Sequence, residues 1–293
     1  EPESLDPAIS TSVADNRIIE ALFEGLCRLD PKTGKPIPAL AERWGLSPDG
    51  RIYTFHLRTN AFCSTGEPIT TADVVYSWIR VLKPETASEY ARQLYYVKNG
   101  EAFNIGKIKD PSQLGFKALD DHTLQVELGG PTPFFLDLCA FPTLSVVPRW
   151  WIEKYGDRWL LTKGVPTSGP YPLDFWRVRD RIRVRKNPRH WDVANIQNTT
   201  VDFLSMDSEM TALNIYESGQ ADILWDKNLI PSLLMDMLRN RPDCHTYDYL
   251  GTFFYRYNVT KKPFDDVRVR KALAMVIDKQ RIVERITKGG EKP

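Results

Sequence analysis

Two helix starts near the end of the chain constrain it more than any other feature. Asp266 precedes Val267-Arg-Val-Arg-Lys-Ala-Leu-Ala-Met-Val, in which Val269, Ala272, Leu273, Val276 and, just beyond, Ile277 recur at the spacing of one helix face. Asp278 precedes a second run carrying Ile282, Val283 and Ile286, which Gly289-Gly290 ends. An Asp in such a place accepts from the free N–H groups of the first turn, so both are expected to cap helices. The stretch before them, from Asn258, reads as the exit of a strand. An apolar helix stripe is stable only when another element covers it. Glu291-Lys-Pro offers no cover, so this segment is expected to open a lobe whose remainder is missing or supplied from elsewhere.

Upstream, the patterning is mixed. Arg51 to Arg58 alternates as a strand, with Tyr53, Phe55 and Leu57 on one side and Ile52, Thr54 and His56 on the other. Thr123 to Leu128 alternates likewise, with Leu124, Val126 and Leu128 facing in. Between them Thr71-Ala-Asp opens a helix with Val74, Val75, Trp78, Ile79 and Leu82 on one face, and Lys83-Pro84 ends it. Further strands are expected at 181–185, 199–205 and 221–225, with a helix at 208–218. Strands and helices that do not strictly alternate predict a mixed α+β or α/β fold. Pro131 to Pro148 holds four prolines and marks a crossing between domains.

Composition narrows the function classes. A chain of 293 residues, 42% of them hydrophobic, has enough apolar side chains for two domains. Its formal charge of +1 recommends neither nucleic acid nor an anionic membrane as partner. No run of eighteen apolar residues occurs, so the chain is not expected to be transmembrane. It begins at Glu1 rather than Met, which fits removal of a signal segment or a trimmed chain.

Catalytic motifs are missing. His56, His122, His190 and His245 are dispersed without the spacing that puts two metal ligands on one helix face, and surface or loop positions are expected for them. Neither a G-x-S-x-G elbow nor a phosphate-binding P-loop occurs. Asp120-Asp121 and Asp265-Asp266 read as turn and cap residues. No enzyme activity, cofactor or metal is therefore expected. Cys27, Cys63, Cys139 and Cys244 form no C-x-x-C pair; they read as buried free thiols, or as holding one disulfide in an oxidising compartment. Arg177, Arg179, Arg181, Arg183 and Arg185 alternate as though on one strand face. Such a face is either solvated or able to track phosphates, with Trp176 and Trp191 for stacking. Near-zero net charge favours the former.

Seven blocks, in order, carry a family resemblance: Glu1-Pro-Glu-Ser-Leu-Asp-Pro, Leu22-Phe-Glu-Gly-Leu, the Ser-Pro-Asp-Gly turn and strand within Trp44 to Arg58, the stretch from Cys63 to Trp78, Gly169-Pro-Tyr-x-Leu, Lys186-Asn-Pro-Arg-His-Trp, and Pro263 to Gly290. Together they resemble the extracytoplasmic solute-binding proteins of ABC importers, in the oligopeptide- and dipeptide-binding family. The resemblance implies a periplasmic-binding-protein-like fold of two lobes. Residues 1–23 and 149–250 would form a discontinuous lobe, 24–148 an inserted intermediate domain, and 251–293 the start of an incomplete second lobe. It implies a receptor that captures a short peptide and presents it to a membrane permease, in the periplasm or another extracytoplasmic space, with a membrane anchor through a missing N-terminal segment as one form.

The resemblance also implies site residues. Thr11, Ser12 and Val13 match the segment whose main chain pairs with an extended peptide as an added strand. Tyr90, Phe141, Tyr249 and Phe254 match pocket-lining positions. Arg256 stands where a relative has an acidic residue, which would alter the preference for charged side chains. Gly251 replaces a cysteine that pairs across the lobes in some relatives, and Cys63 replaces a usual Trp, which should loosen the local packing. The family's acidic anchor for the peptide amino terminus lies beyond this chain. Two other readings stay open: the same fold holding a non-peptide solute, and a structural or interaction fragment without cargo.

Overall fold

Helix α1 (Val13–Leu22) starts where the Ser12 hydroxyl accepts from the Ala14 N–H at 3.1 Å. In the computed structural model, which describes residues 1–247 and 251–293, strands β1 (Cys27–Leu29) and β2 (Pro36–Pro38) then pair antiparallel. Strands β3 (Ala41–Leu46) and β4 (Ile52–Leu57) form a hairpin across the Ser47–Gly50 turn. Helix α2 (Thr71–Leu82) opens with the Asp73 carboxylate accepting from the Thr70 N–H at 2.9 Å, and the chain leaves it at Lys83-Pro84. After the short helix α3 (Gly100–Asn104), strands β5 (Phe116–Ala118) and β6 (Thr123–Glu127) complete an antiparallel sheet of order β3-β4-β6-β5.

The alternation read from the sequence sets that sheet's buried face. Tyr53, Phe55 and Leu57 point into the core, and the register places Tyr53 opposite Val126 and Phe55 opposite Leu124. Trp78 of α2 is fully buried above them, with its ring edge-on to Phe116 at 5.7 Å and to Phe135 at 6.3 Å. Its indole N–H donates to the Leu144 carbonyl at 3.1 Å, so the one polar atom of this side chain is satisfied inside the core. Cys27, Cys63 and Cys139 belong to the same core. All four cysteines are free thiols.

Helices α4 (Phe135–Cys139) and α5 (Arg149–Tyr155) follow, then strands β7 (Leu173–Arg177), β8 (Arg181–Arg185) and β9 (Thr200–Leu204), an antiparallel three-stranded sheet in that order. A second core gathers around it from Leu5, Ile18, Ile19, Leu22 and Phe23 at one end of the chain and Val147, Trp159, Ile182 and Val184 far along it. The chain passes from the second core to the first between Phe23 and Leu26, and returns between Val146 and Val147. The two passages lie side by side: the Val146 N–H donates to the Glu24 carbonyl at 2.9 Å.

Residues Glu1–Ser205 form one compact unit and Met206–Pro293 another. The second carries helices α6 (Glu209–Glu217), α7 (Met235–Leu238), α8 (Val267–Val276) and α9 (Lys279–Ile282). Asp266 caps α8 through the Arg268 N–H at 2.8 Å, and Asp278 caps α9 through the Arg281 N–H at 2.9 Å, as expected. The strands expected at 221–225 and ahead of Asn258 do not form among the described residues. A strand needs a ladder partner for its main chain, and this unit has no strand among the described residues. Ile223 and Trp225 are left exposed.

The arginine ladder is also corrected. The five side chains do not share one strand, because the chain turns at Val178–Asp180, where Arg179 has φ 60°, and returns as β8. Arg183 makes a two-pronged pair with Asp202 at 2.7 Å on each prong, Arg181 reaches the same carboxylate at 3.3 Å, and Arg185 meets Asp174 at 2.9 Å. These guanidinium groups are neutralised by neighbouring strands.

Two expectations follow. A Cβ added at Gly169 would lie 2.6–2.7 Å from main-chain atoms of Ala21, Leu22 and Phe23. Gly169→Ala should therefore lower unfolding stability by about 1–3 kcal/mol in urea titration. The bonds from Arg183 hold the Asp202 carboxyl below its usual range, against the opposing effect of partial burial. A depressed carboxyl adds stability above the unfolded value, near pH 4, and that stability is lost as pH falls through the folded value. Urea titrations at descending pH should show a steeper loss for the wild type than for Asp202→Asn.

Candidate functional site

Asp6 anchors the amino-terminal segment. Its carboxylate takes two bonds from Arg80, at 2.7 and 2.5 Å, and one from the Trp159 indole at 3.1 Å, all at nearly buried atoms. The same carboxylate accepts from the Ala8 N–H at 3.0 Å, and the Asp6 carbonyl accepts from the N–H groups of Ile9 and Ser10. Residues 6–10 are thereby held as a tight turn fixed to α2 and to the second core. Beyond the turn the chain passes through Thr11 into Ser12, which is extended at φ −86° and ψ 141° and leads into α1.

Thr11 and Val13 are exposed. Among the described residues, the N–H groups of Thr11 and Ser12 and the carbonyl of Thr11 make no main-chain hydrogen bond. These unpaired groups, beside the extended Ser12, make a short open edge able to pair with an extended chain through main-chain groups alone.

Tyr90 and Phe141, widely separated in sequence, are brought together with ring centroids 5.1 Å apart in an edge-on pair. Ala87, in the left-handed region at φ 52°, turns the chain ahead of Tyr90, and Phe141 sits in extended conformation just before Pro142. Both rings are half-buried and neither belongs to either core. Arg92 lies 6.0 Å from the Tyr90 ring centre. Phe254 belongs to the second unit and is exposed, with the Arg256 guanidinium 5.4 Å from its ring. Tyr249 lies outside the described residues. An open hollow in that unit is lined by Tyr255, Tyr257, Phe264, Leu273, Val276 and Ile277 together with Arg256, Lys261 and Lys262, so that α8 contributes Leu273 and Val276.

A buried polar group was not anticipated. Glu24, at the passage between the cores, accepts from the Trp191 indole at 2.7 Å and lies 3.3 Å from His190 Nε2. The Asp192 N–H donates to His190 Nδ1 at 3.2 Å, which leaves Nε2 to donate to Glu24. Trp191 is in turn covered by the Arg58 guanidinium at 3.8 Å. His190 lies in a loop, one of the two positions expected for it, but is buried there. Both residues stand in the sequence blocks noted above, but nothing local reveals that the blocks meet. Asp15, 2% exposed, is a second buried carboxylate that sequence reasoning missed.

Burial pushes the thiols of Cys27 and Cys63 up to about 12, which keeps both protonated and unreactive. No cluster of three metal-ligating side chains occurs among the described residues. No helix among them is long and apolar enough to cross a membrane. Asp120 accepts from the His122 and Thr123 N–H groups, which is the turn role expected of it.

Comparison with known proteins gives the class of this mixed α/β chain. Residues 35–293 match the family of bacterial extracellular solute-binding proteins, family 5, and the chain belongs to that family. It is 40% identical, over its whole length, to the periplasmic oligopeptide-binding protein OppA of Salmonella typhimurium, of which it covers 54%. It is 37% identical over 98% of its length to the probable deoxycholate-binding periplasmic protein YgiS of Escherichia coli, of which it covers 53%. Among solved structures, a periplasmic oligopeptide-binding protein of Borrelia burgdorferi matches with a TM-score of 0.94 at 34% identity, over 99% of this chain and 58% of that one. The fold is therefore that of the periplasmic binding proteins. The chain spans about half the length of the curated relatives it matches.

The aromatic pair is testable without ligand. Tyr90→Ala, Phe141→Ala and the double variant should show coupling of about 0.5–1.5 kcal/mol in a stability cycle. Strict additivity in urea titration would mean that the rings do not interact.

Proposed function

We propose that this chain is part of a non-enzymatic receptor that captures short peptides outside the cytoplasm and delivers them to the permease of an ABC importer. The open edge at Thr11 and Ser12 is the observation that carries this reading. Main-chain pairing is indifferent to side-chain identity, which suits a receptor for many peptide sequences. Tyr90 and Phe141 would take ligand side chains through area rather than exact polar matching. Val13, Phe254 and Tyr249 complete the proposed ligand-facing set. Residues 24–148 would form an inserted domain between the halves of a lobe built from 1–23 and 149–250, which the two separate hydrophobic cores support. Residues 251–293 would begin the opposing lobe.

A non-peptide solute is the second reading, and the likeness to a protein named for deoxycholate favours testing it. Native mass spectrometry of the protein as purified, followed by denaturation to release what it carries, separates the two. A spread of adducts that resolves into peptides is expected. A single non-peptide mass would replace the substrate class and leave the family unchanged.

A further inference from the structure

Asp15 is a buried ionisable group with no role in either core. It is 2% exposed, and no Lys or Arg pairs with it among the described residues. An acidic residue in the first turn of a helix is ordinary, because it faces the positive end of the helix dipole. That role needs no burial, and burying a carboxylate without a cation is costly unless hydrogen bonds compensate. Here burial pushes the carboxyl up, while the Ser10 and Ser12 hydroxyls and the main chain of Glu3 and Ser4 partly offset it.

Those partners show what the group holds. The Ser10 hydroxyl donates to Asp15 Oδ2 at 3.2 Å, and Ser10 is itself buried, with its N–H bonded to the Asp6 carbonyl. Ser12 is tied to the first turn of α1 through the Ala14 N–H. Residues 10 and 12 are therefore pinned, and Thr11 between them presents its N–H and carbonyl unpaired. An added strand needs an edge that is already extended, because ordering it at binding would cost conformational entropy.

We propose that Asp15 is a positioning residue for ligand binding, holding Ser10 on one side, as the α1 cap holds Ser12 on the other, so that the edge at Thr11 is ordered before a peptide arrives. This rests on the peptide-receptor reading above. Asp15 acts through Ser10.

The test compares wild type, Asp15→Ala, Asp15→Asn and Ser10→Ala. Each is titrated calorimetrically with tri-alanine and with tri-alanine methylated at its central nitrogen, which removes a donor needed for pairing. In parallel, the exchange rate of the Ser10 amide is followed by NMR. Asp15→Ala should weaken tri-alanine by about tenfold and the methylated peptide much less. Asp15→Asn keeps an acceptor oxygen and should stay within about threefold of wild type. The Ser10 amide should exchange faster in Asp15→Ala and unchanged in Asp15→Asn. Equal loss for both peptides, or an Asp15→Asn variant as impaired as Asp15→Ala, would overturn the proposal. If Asp15→Ala does not fold, Ser10→Ala carries the same comparison of the two peptides. If wild type binds neither peptide, the receptor reading fails; the pinning is then judged by the Ser10 amide alone, and unchanged exchange in Asp15→Ala overturns it.

Discussion

One hydroxyl stitches together the two passages on which the first unit depends. Ser168 Oγ accepts from the Glu24 N–H at 3.0 Å and donates to the Val146 carbonyl at 2.6 Å, while the Val146 N–H returns to the Glu24 carbonyl. A main chain that crosses between two apolar cores cannot leave its polar groups unpaired. Here three segments satisfy one another. The Gly169 N–H adds a bond to the Leu22 carbonyl, and the lack of a side chain at Gly169 is what permits that approach. Asn187 closes the group by donating to the Gly169 carbonyl at 3.0 Å. The open edge precedes one passage and Phe141 precedes the other, so both candidate ligand contacts hang from this joint.

The carboxylate of Glu24 has a related role. Without a side chain that reaches back from residues 190–191, the passage would be held by its main-chain bonds and the Ser168 hydroxyl. Trp191 is a partial member of the first core, while its neighbours at Asn187 and Gly169 tie back to the passage. The Arg58 guanidinium over its ring covers the indole from the β4 side of the sheet. Removing the Glu24 carboxylate would leave a buried indole N–H unpaired, a cost of roughly 1–3 kcal/mol that an apolar contact would not incur.

The local elements were largely legible in the sequence, because their signals are periodic and short in range. The alternations of β4 and β6, the apolar stripe of α2, and the Asp caps of α8 and α9 each follow from residues within one element. Residues 221–225 show the limit of that reading: Ile223 and Trp225 alternate correctly, but no strand forms there among the described residues. The five arginines show another, since periodicity of two also describes a hairpin whose turn takes an odd step at Arg179. The meeting of Glu24 with His190 and Trp191 joins residues far apart in the chain, of which no window of sequence holds a trace. Thr11, Ser12, Tyr90 and Phe141 entered only through family resemblance. Their geometry adds what the resemblance lacks, namely that Tyr90 and Phe141 touch and that the main chain at Thr11 is unpaired.

An unpaired strand edge is a hazard, because it will pair with any extended chain, including another copy of itself. Here the edge is kept very short. The Asp6 turn consumes the main-chain donors of residues 8–10 on one side, and the first turn of α1 takes over at Ser12 on the other. What remains offers a few bonds around Thr11, too few to template a sheet and, in the proposed receptor, enough to register one short peptide. The discriminating contribution must then come from side-chain contacts nearby, and half-buried aromatic rings supply contact area without demanding a particular polar partner. In the proposed receptor, generality in what is bound and protection from self-pairing would have the same structural cause, an edge whose length is set by Asp6 before it and by the Ser12 cap after it.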